Sequence, residues 1–381
     1  MSPTPAITSR KHFGSVARAG RIVIKIGSSS LTGPDGRLDT QAIHNLVEVL
    51  AERHKAGGQV VLVSSGAVAA AIEPLGLPTK PRDLVTSQAA ASVGQGLLVA
   101  EYTRAFAEHG IIVGQVLLTA QDTVRRVHYR NAQRALTKLL DLGVIPIVNE
   151  NDTVATDEIS FGDNDRLAAL VSHLIHADGL VLLTDVEGLL SAPPGTPDSK
   201  LITTVTSAAD LEGIAVTPRG SSVGTGGMET KVLAAKIATS SGVSVVLTSA
   251  ENVQAAFAGE DVGTFFVATR KRASRRLLWL EHAAEPRGQL FLDSGAVRAV
   301  VEKNSSLLPA GVTAVRGKFA ADDPVSLVSQ ETGQEIARGL VNYSSKDIPK
   351  LLGRTTSALG AEFGPGYDRV LVHKNSLVIN I

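Results

Sequence analysis

The 381-residue chain contains no cysteine and one tryptophan, and aromatic residues make up only 4% of it. The absence of cysteine excludes disulfide bonds, zinc sites with thiolate ligands and a cysteine nucleophile, and it is compatible with a reducing compartment. The chain also has no excess of either charge, since 37 Lys and Arg balance 37 Asp and Glu. Proteins that act mainly on nucleic-acid backbones or anionic membranes carry a positive excess, so this composition argues against both partners.

Long apolar segments are missing as well. No run approaches the roughly 18 residues that would suggest a membrane helix. Residues 1–20 contain three basic residues and no acid, and they lack the apolar block of a secretory signal. We therefore expect a flexible tail over residues 1–20 and a cytoplasmic protein with no membrane partner.

Two standard nucleotide-binding fingerprints are absent too. The P-loop pattern has no match, and the glycine pairs beginning at Gly94, Gly224 and Gly364 lack the third glycine of a dinucleotide-binding loop. The nine histidines, including His173 and His176 at helical spacing, provide neither a nameable metal-ligand set nor a Ser–His–acid triad. The sequence thus offers no obvious general base.

Short runs rich in Val, Ile and Leu are present, and they alternate with helix-like segments through the first 270 residues. Continuous apolar runs predict strands buried on both faces, here over residues 21–26, 59–63, 111–118, 144–148, 180–183 and 243–247. The helix-like segments are 40–55, 87–109, 129–142, 165–176 and 229–241. This alternation predicts an α/β fold: an open, mostly parallel sheet sandwiched by helices.

From about Gly288 the pattern changes to short strands separated by Gly, Pro and Asp turns. Strands are predicted over 289–292, 312–317, 324–329, 335–340 and 370–373, and helices only over 294–302 and 345–352. We expect an α/β domain over residues 21–275, a linker over 276–287 and a small β-rich domain over 288–381. The basic run Arg270–Arg276 is interpreted as a solvated part of this boundary.

Polar residues follow four of the predicted strands. They are Lys25–Ser30, Ser64–Ala67, Asn149–Asp152 and Thr184–Asp185. Ligands of open parallel sheets bind beyond the carboxyl ends of the strands. Four polar strand ends therefore indicate a polar binding site at that edge.

The most specific segment is Gly224–Lys231, which is rich in glycine and opens a predicted helix. Glycine loops and helix N-termini present backbone N–H groups to anions, and Lys231 would reach the same anion. This favours phosphate binding over a plain flexible loop. Lys25 interrupts an apolar strand, so it either points into the site or extends to solvent.

The acidic segment Asp157–Asp165 precedes another predicted helix. Asp163 or Asn164 would cap that helix, while a divalent-metal cage and recognition of a substrate ammonium together with Asp152 are the alternatives. Two lysines, glycine loops and no histidine base suit phosphoryl transfer, which depends on positioning and charge stabilisation. They suit it best when the acceptor is a carboxylate, because that group is already ionised at neutral pH.

These motifs, with Gly162–Asp165, occur in the order that is typical of the amino-acid kinase family. Downstream, Ser294–Ala296 and Ser305–Gly311 resemble a PUA domain, and the whole resemblance covers about residues 20 to 375. It implies the amino-acid kinase fold followed by a PUA-like domain. It also implies ATP-dependent phosphorylation of the γ-carboxylate of L-glutamate to glutamyl 5-phosphate, the first step of proline biosynthesis.

The resemblance further implies residue roles. Lys25 and Lys231 would stabilise the transferring phosphoryl group, and Asp165 would orient both lysines. ATP would be contacted by Lys25, Gly27, Thr184, Asp185, Thr225, Gly226, Gly227, Met228, Glu229, Thr230 and Lys231, and glutamate by Ser65, Gly66, Asp152 and Asn164. Mg²⁺ would be bound through the ATP phosphates, with no metal site on the protein. Feedback inhibition by proline and a homo-oligomer are also implied.

The sequence departs from the family at Leu190–Pro194, where Leu-Ser-Ala-Pro-Pro replaces the usual Tyr-Thr-Ala-Asp-Pro. Contacts near the nucleotide base are therefore expected to differ. Ser64 also stands where threonine is common.

Two alternative functions remain open at this point. One is a related kinase that acts on acetylglutamate or aspartate, against which the PUA-like tail argues. The other is an RNA-binding protein that acts through that tail. The segment Gly288–Ile381 carries ten Lys and Arg against nine Asp and Glu, and this balance argues against binding through phosphate contacts.

Overall fold

The structure of the chain, a computed structural model, describes residues 10–119, 122, 126–154, 164–193, 196, 199–211, 227–268, 280, 286–354, 359–360, 362, 364, 367 and 369–379. The chain divides into two compact units, the first built from residues 1–123 and 129–273 and the second from 124–128 and 274–381. The domain boundaries expected at 275 and 288 remain predictions, because residues 269–279 and 281–285 lie outside the described residues.

The first unit contains an eight-stranded sheet with the order β3-β4-β2-β1-β5-β7-β8-β6. Its strands are β1 (Arg21–Ile26), β2 (Gln59–Ser64), β3 (Val113–Leu118), β4 (Ile145–Glu150), β5 (Gly179–Thr184), β6 (Thr204–Val205), β7 (Ser244–Ser249) and β8 (Thr264–Phe266). Neighbouring strands are parallel except for the antiparallel pair β7 and β8. The prediction of a mostly parallel α/β sheet is confirmed.

The described helices of the first unit are α1 (Arg10–Ala17), α2 (Thr40–Lys55), α3 (Ala67–Ile72), α4 (Leu84–Ala107), α5 (Arg126–Asp141), α6 (Asn164–Leu174), α7 (Met228–Ser240) and α8 (Val253–Ala258). Helix α4 begins earlier than its apolar pattern predicts, because the Asp83 carboxylate accepts a hydrogen bond of 2.8 Å from the Thr86 N–H and caps the helix.

Helix α1 corrects the expected flexible tail over residues 10–17, while residues 1–9 lie outside the described residues. Phe13 and Val16 are fully buried, and the Phe13 ring lies 5.4 Å from the Phe265 ring, centroid to centroid. Burying each of these side chains stabilises the unit by about 1.5–3 kcal/mol, which is enough to hold so short a helix. Two apolar residues three apart give too weak a periodic signal for this helix to be predicted.

The two faces of β1 have different surroundings. Ile22, Ile24 and Ile26 belong to the apolar core that also contains buried residues of α2 and α4. Because side chains alternate along a strand, Lys25 lies on the opposite face. Helix α6 packs against β1 there, so the sheet has helices on both faces.

Helices α3 and α4 cross very closely at Gly94. A Cβ atom at this position would lie 1.7 Å from the carbonyl oxygen of Ala67, so only glycine fits. The glycine pair that begins at Gly94 is therefore explained by helix packing and not by nucleotide binding.

The second unit has its own five-stranded sheet, ordered β10-β9-β11-β12-β13. Its elements are β9 (Gly288–Leu292), α9 (Ser294–Val301), β10 (Val312–Gly317), β11 (Pro324–Ser329), β12 (Glu335–Val341), α10 (Ile348–Leu351) and β13 (Val372–Ile379). The two segments that resemble a PUA domain pack together, since a Cβ atom at Gly311 would lie 2.5 Å from that of Ala296. The β-rich second domain is confirmed. In the described part of the chain, no helix is both long and apolar enough to span a membrane.

Candidate active site

The four polar strand ends lie next to one another. Strands β4, β2, β1 and β5 are consecutive neighbours in the sheet, and they are parallel. Their carboxyl ends therefore meet at one edge, as expected for a ligand site in an open parallel sheet.

A buried ion group lies at this edge. The Lys25 ammonium is 2.6 Å from Oδ1 of Asp165, and the Lys231 ammonium is 3.0 Å from Oδ2 of the same carboxylate. Lys25, Asp165 and Lys231 are 3%, 0% and 7% exposed. The alternative that Lys25 extends to solvent is excluded, and the group retains one net positive charge in a place where an unpaired charge is costly.

Secondary structure positions each member of this group. Lys25 comes from β1, Asp165 from the first turn of α6 and Lys231 from the first turn of α7. A carboxylate in the first turn of a helix is favoured by the positive end of the helix dipole. Asp165 is therefore held by its own helix as well as by two ammonium groups.

The first turn of α7 has no side-chain cap from the described residues. Gly227 precedes the helix with extended backbone. The Thr230 hydroxyl lies 2.8 Å from the Gly227 carbonyl oxygen and 3.3 Å from Oδ2 of Asp165, which joins this turn to the ion group. Met228 and Glu229 follow in the same turn, whereas the predicted ATP contacts Thr225 and Gly226 lie outside the described residues.

Two glycines line the neighbouring strand ends. A Cβ atom on Gly27 would lie 3.5 Å from the Lys25 ammonium, so the backbone of this residue is beside the ion group. Gly66 precedes α3 with a φ of 106°, in the left-handed region that favours glycine. The Ser65 N–H donates to the Ile26 carbonyl oxygen over 3.1 Å, which ties the ends of β2 and β1 together.

Asn164 connects the ion group to the predicted glutamate site. Its Nδ2 donates to the Ser65 hydroxyl and to Oδ1 of Asn149, both over 2.8 Å, and Nδ2 of Asn149 donates to Oε1 of Gln95 over 2.8 Å. Oδ1 of Asn164 is buried and accepts no hydrogen bond from any described residue. A buried acceptor of this kind requires a partner, and a substrate N–H group would supply one.

Sequence reasoning missed two members of this network. Asn149 lies in a polar strand end but was not singled out, whereas Gln95 lies within α4 and has no local signal at all. The interpretation of Asn164 as a simple helix cap is also too narrow, because its amide hydrogen-bonds to two other strand ends.

Asp152 follows β4 and is half-buried. Burial raises the pKa of Asp152, and the nearby Lys80 ammonium opposes that rise. Burial in turn lowers the pKa of Lys80, while Asp152 acts in the opposite direction. This oppositely charged pair was not predicted, because Lys80 lies in a proline-flanked loop with no motif.

Thr184 is the last residue of β5, and Asp185 follows it. The Thr184 hydroxyl donates to the Asp185 carboxylate over 3.0 Å, with Thr184 buried and Asp185 exposed. The segment Leu190–Pro194, which departs from the family pattern, comes after Asp185 in the chain. Its Leu190 pairs with Leu201 in an antiparallel bridge. Backbone pairing thus holds this loop in place despite the missing tyrosine, and Pro194 lies outside the described residues.

A metal cage in the acidic segment stays a prediction, and the histidine alternative is tested only in the part of the chain that the structure describes. There, no three His, Asp or Glu side chains gather as ligands. His173 is buried, with its ring 6.3 Å from that of Tyr129. The acidic residues Asp157, Glu158 and Asp163 lie outside the described residues.

The chain matches two family models, one of the amino acid kinase family over residues 20–249 and one of the PUA domain over residues 288–359. It is 58% identical to a glutamate 5-kinase of Streptomyces coelicolor, covering 96% of this chain and 97% of that protein. It is 59% identical to a glutamate 5-kinase of Thermobifida fusca, covering 96% and 94%. Among solved structures it is similar to carbamate kinase from Giardia lamblia bound to AMP-PNP, with 18% identity, a TM-score of 0.49 and coverage of 66% and 99%. The chain therefore belongs to the amino acid kinase family, among the glutamate 5-kinases.

Proposed function

We propose that the chain transfers the γ-phosphoryl group of ATP to the γ-carboxylate of L-glutamate, giving ADP and glutamyl 5-phosphate. The observation that carries this proposal is the buried ion group, in which Lys25 and Lys231 share the Asp165 carboxylate. A net positive charge held in a buried place stabilises the negative charge of a transferring phosphoryl group more strongly than it would in water.

The reaction requires no general base. A carboxylate oxygen of glutamate attacks the γ-phosphorus, and the bond from that phosphorus to the β,γ-bridging oxygen breaks as ADP leaves. The attacking carboxylate is already ionised at neutral pH. Asp165 is occupied by two ammonium groups, so we assign it to positioning the lysines rather than to proton transfer.

The ATP side of the site is assigned to the strand end Thr184–Asp185 and to the turn around Gly227–Lys231. Backbone N–H groups at an uncapped helix start suit a phosphate. We propose that Mg²⁺ is bound through the ATP phosphates, whose charge it would partly neutralise.

The glutamate side is assigned to Ser65, Gly66, Asn164 and Asp152. The Asp152 carboxylate suits the substrate ammonium, and Oδ1 of Asn164, which accepts no hydrogen bond from a described residue, supplies a buried acceptor. Proline carries the same α-ammonium and α-carboxylate groups, which supports its proposed role as a feedback inhibitor. A cytoplasmic homo-oligomer that supplies proline biosynthesis completes the proposal.

Substrate preference tests the proposed reaction. With ATP, Mg²⁺ and hydroxylamine, we expect L-glutamate to give ADP and an acyl hydroxamate, and N-acetylglutamate and L-aspartate to give about 100-fold less. N-Acetylation removes the ammonium that Asp152 would bind, and aspartate is one methylene too short to bring its carboxylate to the phosphoryl group. Hydroxamate from N-acetylglutamate alone would overturn the glutamate assignment, and ADP without hydroxamate would overturn acyl-phosphate formation.

The pH dependence of glutamate use tests the role of Asp152. Because burial raises its pKa, Asp152 is protonated at a higher pH than an ordinary aspartate, whose pKa is about 3.9. On lowering the pH, kcat/KM for glutamate should fall as this carboxylate is lost. Lys80→Gln removes the cation that holds this pKa down, so we expect the acid limb of the profile to move to higher pH. Lys55→Gln, an exposed lysine of α2, should leave the limb in place, and an equal shift in both variants would contradict the assignment.

A further inference from the structure

The sheet of the second unit carries a cleft that the kinase reaction does not use. The cleft has a volume of about 390 Å³, and its lining includes Arg287, Gln289, Arg316, Ser326, Glu335 and Arg338. This volume is within the roughly 300–1,000 Å³ typical of small-molecule sites.

Strand register explains why these side chains meet. Arg316 of β10 is opposite Gln289 of β9, Gln289 is opposite Ser326 of β11, and Ser326 is opposite Arg338 of β12. Residues directly opposite one another on paired strands point to the same face of a sheet. The four residues therefore form one polar row across four strands.

This row lies on the face away from the core of the second unit. The residues that follow Gln289 and Ser326, Leu290 and Leu327, belong to the apolar core. Because side chains alternate along a strand, the polar row faces the other way. Arg316 is exposed, Gln289 and Arg338 are half-buried and Ser326 is buried, so the row lies outside the apolar core although not all of it is at the surface.

Two of the arginines are held in place. Nε of Arg338 donates to Oε1 of Glu335 over 2.7 Å, and Oε2 of Glu335 accepts from the Ser326 hydroxyl. The guanidinium carbon of Arg316 lies 5.4 Å from the centroid of the Phe291 ring, a distance suited to a cation–π contact. Groups oriented before binding lose less entropy when a ligand arrives.

The cleft concentrates positive charge beside a segment that is otherwise balanced. Three arginines and one glutamate line it, a net charge of two, whereas Gly288–Ile381 carries ten basic and nine acidic residues. Among the described residues, Arg287 and Arg316 form no ion pair. A local positive site beside the near-neutral segment Gly288–Ile381 favours a small anion over a long polyanion.

We propose that this cleft binds a small phosphorylated molecule through its phosphoryl group. Guanidinium groups form paired hydrogen bonds with phosphate oxygens, and a phosphate monoester carries about two negative charges near neutral pH, which matches the cleft. A carboxylate carries only one. The Gln289 amide and the Ser326 hydroxyl border the same space as further polar groups.

Calorimetric titration of the full chain with inorganic phosphate tests the proposal. The variants are Arg316→Gln and Arg338→Gln, and the control is Arg298→Gln, an exposed arginine of α9. We expect the dissociation constant of the cleft component to rise at least about tenfold in the first two, since each loses a charged hydrogen-bond donor, and to change less than twofold in the control. Phosphate bound at the kinase site contributes equally in all four proteins, so only the component lost from the first two belongs to the cleft.

Loss of phosphate binding in a variant can be distinguished from failure of that variant to fold. Arg316 is exposed and forms no ion pair with a described residue, so Arg316→Gln should keep the melting temperature of the parent and still lose the component. Identical phosphate binding in all four proteins would overturn the proposal. If succinate binds more tightly than phosphate and is lost in the same variants, the ligand of the cleft is a dicarboxylate and not a phosphorylated molecule. If a structured RNA hairpin binds more tightly than phosphate and this binding is lost in Arg316→Gln, the ligand of the cleft is a nucleic acid and not a small molecule.

Discussion

Lys231→Ala should lower kcat for glutamyl phosphate formation by about 10²–10³-fold, which is the range of losses seen when a group that stabilises transition-state charge is removed. The Lys231 ammonium is buried and 3.0 Å from the Asp165 carboxylate, and a water molecule in its place would not supply its positive charge. Lys25→Ala should have an effect of similar size, because Lys25 contacts the other oxygen of the same carboxylate. ADP release together with hydroxamate formation measures both effects.

The chain offers a matched control on the same helix. Lys236 lies in α7 but is exposed, and Lys236→Ala should leave kcat within twofold of the parent. The fold should survive Lys231→Ala, because Asp165 remains paired one-to-one with Lys25. A folded Lys231→Ala enzyme with full turnover would show that the proposed mechanism is wrong.

Asp165→Asn should both abolish turnover and destabilise the first unit. The substitution leaves two buried ammonium groups facing a neutral amide, and breaking a buried charge pair in this way typically costs about 3–5 kcal/mol. We expect a clear decrease in the midpoint of the urea unfolding transition, followed by far-ultraviolet circular dichroism. Asp141→Asn, at the exposed end of α5, should leave the midpoint unchanged.

A second substitution distinguishes the effect of ammonium repulsion on stability from the effect of side-chain volume. Lys25→Met in the Asp165→Asn background removes one of the two repelling ammonium groups and keeps most of the side-chain volume. The double variant should therefore be more stable than Asp165→Asn alone while remaining inactive. If Asp165→Asn unfolds at the same urea concentration as Asp141→Asn, the ion group contributes nothing to the fold and its charges are not buried as described.

The sequence predicts the strands of the first unit well for a physical reason. Strands buried on both faces are continuous apolar runs, so a lysine within one, as at Lys25, is conspicuous. Gly224–Lys231 is likewise conspicuous because glycine and lysine at a helix start have few other uses. These local signals single out Lys25 and Lys231 individually, but not their shared contact with Asp165.

The remainder of the site depends on tertiary contacts that no local pattern contains. Gln95 lies in the middle of α4, and its link to Asn149 exists only because α4 packs against the sheet edge. Lys80 influences Asp152 across the fold. In the second unit, β9 to β12 were predicted closely, whereas β13 begins at Val372 and extends to Ile379, beyond the predicted 370–373. The row from Arg316 to Arg338 was not predicted, because it depends on the register of four strands.

The ion group also has a consequence for how the chain is made. Lys25 and Asp165 are 140 positions apart, and Asp165 and Lys231 are 66 apart. Synthesis proceeds from the N-terminus, and domains tend to fold as they emerge. Until α7 has left the ribosome, Asp165 lacks one of its two partners, and the strands β7 and β8 that complete the sheet follow α7 in the chain. Water therefore remains at the future site of the nascent unit until late in translation. The site that requires exclusion of water is among the last parts of the unit to lose its water.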